Sequence, residues 1–156
     1  MDRLRINKNY KNIATGFFVA IFFIIDRLLK QLALNNFSNS SHQLLGDYFS
    51  FTFTGNYNIA FSLPLGGRGL NFVLTIIILG LLVYTGKIIK TKQSPWQIIG
   101  CSLLLLGAVS NYLDRLVYGF VIDYFYLKHF TIFNLADVGI FVGVIISLIS
   151  LNKKPG

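Results

Sequence analysis

Residues 133–151 read FNLADVGIFVGVIISLISL. From Ile140 onward this run is apolar enough to lie in lipid, yet Asn134 and Asp137 stand where it begins. A carboxylate at the centre of a membrane helix costs roughly 2.5–3.5 kcal/mol on insertion scales, and less near an interface. A helix N-terminus offers Asp137 one compensation, because the helix dipole favours negative charge there. The rest of the chain supplies a second.

Three more apolar blocks precede this one, at roughly Ile13–Leu34, Leu70–Gly86 and Trp96–Leu113, with the last at roughly Asn134–Leu151. Each is about 17–23 residues long, enough for a helix to cross ~30 Å of hydrocarbon. Only 13% of the residues are charged, against ~25% in an ordinary soluble domain, and the mean hydropathy is +0.62. The 156 residues are therefore expected to form one integral-membrane domain. Its expected fold is an α-helical membrane protein of four transmembrane helices.

The net charge of +8 is placed as the positive-inside rule requires. Arg3, Arg5, Lys8 and Lys11 precede the first block, Lys87, Lys90 and Lys92 lie between the second and third, and Lys153 and Lys154 follow the last. Basic residues in alternate gaps put both termini in the cytoplasm. They argue against a nucleic-acid partner, because they flank lipid-length segments. The basic start and apolar first block resemble a secretory signal, but Asp26, Arg27 and Lys30 follow in place of a small-residue cleavage site, so an uncleaved first span is expected. Cys101 is the single cysteine and lies inside the third block, where core packing is its simplest role. His42 and His129 are isolated, which does not suit a zinc site.

The gaps at roughly Asn35–Gly69 and Asp114–Phe133 then face outward. The first contains YFSFTFTGNY at residues 48–57, whose period-two alternation predicts a strand or hairpin. This would be a small extracytoplasmic β-strand cradle between helices 1 and 2. PLGGRG at residues 64–69 reads as a hinge into the second span. All six acidic residues are Asp, and four of them, Asp26, Asp114, Asp123 and Asp137, fall at the outer ends of spans or just beyond. Each has an ordinary explanation. Asp26 and Lys30 are an i,i+4 pair, Asp114 with Arg115 can anchor a helix end, Asp123 can be a loop residue, and Asp137 can serve the dipole. Together, Asp123 and Asp137 are also a candidate carboxylate dyad. The aromatic segment between them returns the chain to the membrane. Two carboxylates held close share one proton, an arrangement that activates water for peptide hydrolysis.

Five short blocks carry a family resemblance. Asp26 to Lys30 resembles D-x-x-x-K, and NYNIAF at residues 56–61 resembles N-x-G-x-A-F. GAVSNYLDR at 107–115 resembles G-A-x-G-N-x-x-D-R, and GFVIDY at 119–124 resembles G-x-V-x-D-F. FNLAD at 133–137, with Ile140 and Gly143, resembles F-N-x-A-D-x-x-I-x-x-G. In this order the blocks resemble the lipoprotein signal peptidase family, signal peptidase II. The resemblance implies an aspartic peptidase of the bacterial cytoplasmic (inner) membrane, without metal or cofactor, whose active site lies near the outer leaflet. Its substrates would be diacylglyceryl-modified prolipoproteins, cut on the amino side of the lipidated cysteine, with membrane lipid around it. It implies catalytic roles for Asp123 and Asp137. Asn56, Asn111, Arg115 and Asn134 would orient the dyad or hold substrate, and Asp26, Lys30 and Asp114 would support it. A monomer is compatible with this reading.

The chain departs from the family pattern at Asn58 and Ser110, where the pattern has glycine, and at Leu106 and Tyr124. These departures leave an alternative, a non-catalytic relative that binds lipidated signal peptides. A small transporter-like membrane protein is a further alternative, suggested by intramembrane Asp and Lys.

Overall fold

In the computed structural model, residues 2–38, 40–57, 68–91 and 94–151 are described, with side chains omitted at 2–13 and 68. The elements run α1 (Asp2–Asn36), β1 (His42–Leu45), β2 (Phe49–Asn56), α2 (Arg68–Lys90), α3 (Pro95–Val117), β3 (Val121–Leu127), β4 (Thr131–Phe133) and α4 (Leu135–Leu151). Asn58 and most of the PLGGRG hinge lie outside the described residues.

The helices carry their polarity reversed from that of a water-soluble bundle. Along α1 the buried positions include Thr15, Val19, Asp26, Lys30 and Ala33, a stripe at helical spacing, while Phe17, Ile24 and Leu28 are exposed. On α2, Phe72 and Val83 are 68% and 73% exposed. Charge faces inward and hydrocarbon outward, the pattern a helix adopts when lipid is its solvent. Two helices, Gly69–Lys90 and Pro95–Val117, are long and apolar enough to cross a membrane. Helix α4 is apolar but has 17 residues, about 25 Å of rise.

Two helices extend beyond the apolar blocks they contain. Helix α1 starts at Asp2, well before Ile13, because the polar residues ahead of the apolar block include no glycine or proline that would break a helix. Helix α3 continues past Leu113 to Val117, and its polar side chains there are taken up by partners inside the fold. Ser94 caps its start, accepting from the Gln97 N–H at 3.2 Å, with Pro95 in the first turn. At its end the Tyr118 N–H reaches the Asp114 carbonyl at 2.7 Å. Gly119 then takes φ +83, which glycine adopts without a Cβ penalty, and turns the chain into β3.

The sheet is also larger than expected. All four strands form one antiparallel sheet in the order β1-β2-β3-β4. Half of it therefore comes from the segment between α3 and α4, not from the gap between the first two helices alone. Thr54 of β2 pairs with Asp123 of β3, and Phe125 pairs with Phe133 across the second hairpin. Phe51, Ile122 and Tyr124 bury against Ala33 near the end of α1, with Phe37, Tyr118 and Leu135 around them. The sheet thus seals the end of the bundle where α1 and α3 finish and α4 begins.

Helices α3 and α4 meet almost backbone to backbone. A Cβ on Gly107 would lie 2.6 Å from the Ala136 carbonyl, and one on Gly143 would lie 2.7 Å from the Leu104 nitrogen. Only glycine permits that approach, and it brings the first turn of α4 beside the polar end of α3.

Candidate active site

Strand β3 delivers the first acid. Ile122 and Tyr124 both turn into the aromatic core, so strand alternation sends Asp123 to the other face. There it is 2% exposed. Asn56, on the paired strand, donates to its Oδ2 at 2.9 Å, and Asn134 donates to its Oδ1 at 2.6 Å.

The start of α4 delivers the second. Asn134 is the residue before the helix, and its Oδ1 accepts the Asp137 N–H at 2.8 Å while its own N–H donates to Asp137 Oδ2 at 3.3 Å. This reciprocal pair is a capping box with aspartate at its third position. Asn111 of α3 donates to the other oxygen, Asp137 Oδ1, at 2.7 Å. One asparagine side chain therefore touches both members of the pair, by its amide nitrogen to Asp123 and by its amide oxygen to the backbone of Asp137. Burial, followed by the neighbouring Asp137 charge, pushes the Asp123 carboxyl up to about 7, against hydrogen bonds from Asn56 and Asn134 and the Lys30 charge, which pull it down.

Behind the pair lies a buried charge cluster. The Lys30 ammonium, 0% exposed, sits 2.7 Å from Asp114 Oδ2, 3.3 Å from Asp26 Oδ2 and 2.7 Å from Asn111 Oδ1, to which it donates. It thereby holds the Asn111 amide with its nitrogen toward Asp137. Arg27 pairs with Asp114 Oδ1 at 2.5 Å. The other Asp114 oxygen also accepts the Ile122 N–H at 3.2 Å, tying the end of α3 to β3. Arg115 donates to the Asn111 carbonyl at 3.4 Å and lies in the fields of Asp114, Asp123 and Asp137.

All nine residues singled out from sequence converge here: Asp26, Lys30, Asn56, Asn111, Asp114, Arg115, Asp123, Asn134 and Asp137. Three others were not singled out. Arg27 was overshadowed by the i,i+4 pair beside it, although its partner Asp114 is already in the set. Ser110 and Tyr124 stood out only as departures from a family pattern. Both hydroxyls prove to donate to Asp26, Ser110 at 2.5 Å and Tyr124 at 2.9 Å. Burial and the Asp26 charge raise the Tyr124 phenol well above its usual range, so it remains a donor.

The model of the family described as signal peptidase (SPase) II matches residues 18–153. The chain belongs to the signal peptidase II family. Curated relatives agree over most of the length. A lipoprotein signal peptidase of Shewanella loihica is 36% identical over 149 residues, covering 88% of each chain. One from Streptococcus pneumoniae is 30% identical over 148 residues, covering 92% of this chain and 95% of its own. Two solved structures described as a bacterial membrane enzyme superpose with TM-scores of 0.77 and 0.76. They are 22% and 26% identical and cover 92% and 91% of this chain, and 93% and 94% of their own. Membership makes this chain a peptidase with a membrane-enzyme fold.

Proposed function

We propose that this chain is an intramembrane aspartic endopeptidase that releases signal peptides from diacylglyceryl-modified prolipoproteins, cutting on the amino side of the lipidated cysteine. The observation that carries the assignment is the bridge made by Asn134, which touches Asp123 and Asp137 together. It gives two acids one spatial reference, as a shared proton requires.

Below about pH 7 the pair holds a shared proton, and in this mechanism the raised Asp123 carboxyl is its resting site. Asp137 takes a proton from water as the oxygen attacks the scissile carbonyl, and Asp123 gives its proton to the carbonyl oxygen. The tetrahedral intermediate collapses by breaking the C–N bond. Asp137 returns its proton to the departing cysteine amine, Asp123 recovers a proton from one gem-diol hydroxyl, and the signal peptide leaves as a carboxylic acid that loses its remaining proton to water. Asn56, Asn111 and Asn134 fix the carboxyl orientations. Arg115 supplies positive charge beside both acids and can steady substrate carbonyls. Asp26, Lys30 and Asp114 brace Asn111 and the helix ends.

Residues 1–156 act as a single domain with four spans in the bacterial cytoplasmic (inner) membrane. The basic residues at both ends and in the loop between α2 and α3 support cytoplasmic termini. The site then lies near the outer leaflet, where a lipid-bearing substrate approaches sideways from the bilayer. The sheet forms the cradle over the scissile segment.

The test is a gel-shift assay on a diacylglyceryl-modified precursor in detergent. Asp123→Asn and Asp137→Asn should each abolish conversion. Retention of wild-type turnover by either variant removes that residue from the dyad.

A further inference from the structure

The first turn of α4 is held by side chains to a degree its sequence does not advertise. A helix begins with N–H groups that have no partner within the helix. Here three of them find acceptors from three different residues. Leu135 N–H donates to the Tyr124 hydroxyl at 2.9 Å, Ala136 N–H to Asp26 Oδ1 at 3.0 Å, and Asp137 N–H to Asn134 Oδ1 at 2.8 Å. The Asn134 contact is on the dyad side of β3. The other two are on its opposite side, where Tyr124 and Asp26 are joined to each other.

Asp26 is the pivot of that second clamp. Its Oδ1 accepts from Tyr124 and Ala136, and its Oδ2 accepts from Ser110 and faces Lys30. Ser110, Tyr124 and Asp26 are all at most 1% exposed, so water does not substitute for a lost donor without rearrangement. The two hydroxyls occupy the positions where the family pattern has glycine and phenylalanine. Two departures that look unrelated in sequence thus meet on one carboxylate.

We propose that Tyr124, together with Ser110, is a positioning residue for the dyad. Its hydroxyl locks Asp26 against the first turn of α4 and thereby sets the separation of Asp123 from Asp137. Tyr124 adjoins Asp123 in β3, and its hydroxyl grips the helix turn that carries Asp137. The inference rests on the dyad reading above. Removing the hydroxyl frees the Leu135 N–H and lets that turn shift relative to the strand.

Displacements of about 1 Å at a reacting centre cost up to about 10²-fold in rate. Dyad separation also shapes the pH profile. Two close carboxyls titrate far apart because they share a proton, and moving them apart brings the two limbs of the bell together. The charged groups acting on the pair are Lys30 and Asp26 from α1 and Arg115 from α3, with Asp114 of α3 behind them, paired to Lys30 and in the field of Arg115. Arg27 completes the set through Asp114. Changes at 124 or 110 remove none of these charges, although Asp26 loses a donor in each variant and Lys30 and Arg27 lose the Ser110 acceptor in Ser110→Ala.

The experiment compares wild type, Tyr124→Phe, Ser110→Ala and the double variant on a diacylglyceryl-modified precursor, recording kcat, KM, the pH profile of kcat and the melting temperature. Tyr124→Phe should lower kcat about tenfold with KM held within about twofold, and should narrow the pH profile. Because both hydroxyls act through Asp26, the double variant should lose less than the product of the single losses. Wild-type kcat and profile in Tyr124→Phe overturn the proposal. A lowered melting temperature with an unchanged profile width does so too, because it leaves the hydroxyl a purely structural role. If Tyr124→Phe does not accumulate, Ser110→Ala bears the same criteria at the other oxygen of Asp26. Activity surviving in Asp123→Asn or Asp137→Asn is a separate result that removes the dyad reading itself.

Discussion

Asp123→Asn should inactivate the enzyme and, above acidic pH, stabilise it. The Asp123 carboxyl titrates at about 7, against 3.8 for an unperturbed aspartate. The folded state therefore holds this proton more tightly than the unfolded chain. The stability contributed by the protonated acid is complete below about pH 4 and declines by about 1.4 kcal/mol per pH unit until about pH 7, then levels. The accumulated loss is on the order of 4 kcal/mol, the cost of ionising a buried group beside Asp137. Asparagine never ionises. Its amide oxygen can keep the bond from Asn134, whose orientation is fixed by the cap on Asp137. Its amide nitrogen faces Asn56, which must turn its own oxygen inward to accept. The assay is thermal melting of both proteins in one detergent from pH 4 to pH 9. The variant's advantage should be small at pH 4, grow to on the order of 10 °C by pH 7, and stay constant beyond. Turnover should fall by roughly 10³-fold or more throughout. Parallel melting curves across this range would refute the reasoning about the buried charge, even if activity is lost.

Two further predictions concern the frame around the pair. Lys30→Met leaves Asp26 and Asp114 buried without their shared cation, and should destabilise by about 3–5 kcal/mol, read as a fall in melting temperature. Gly107→Val places side-chain atoms against the Ala136 carbonyl. It should cost about 1–3 kcal/mol through helix separation and lower kcat more than it raises KM, as steady-state kinetics would show.

The meeting of Asp123 and Asp137 around Asn134 was legible because topology and motif pointed to the same two residues. Long apolar blocks set the helices, charge bias set their ends, and four of the six aspartates then fell together. The second hairpin was not legible. Its turn, Lys128-His129-Phe130, has no glycine, proline or asparagine, and His129 takes φ 63 unaided by such a marker. The strand before it is rich in β-branched and aromatic residues, which suited a membrane-returning loop as well as a strand. Arg27 was hidden for another reason. Its partner Asp114 lies on a different helix, and only the crossing of α1 with α3 brings the two together. Ser110 and Tyr124 were visible one at a time, but their common target is a property of three dimensions.

The buried cluster also has an arithmetic of charge. Four carboxyls gather at this end of the fold, Asp26, Asp114, Asp123 and Asp137, and three cations stand among them, Arg27, Lys30 and Arg115. With every acid ionised the assembly carries one negative charge in a medium that tolerates little. With one proton on the dyad it is neutral. On the reading of Asp123 and Asp137 as a proton-sharing dyad, the protonation state that hydrolysis needs is the one that balances the interior, and one set of charges serves both folding and readiness.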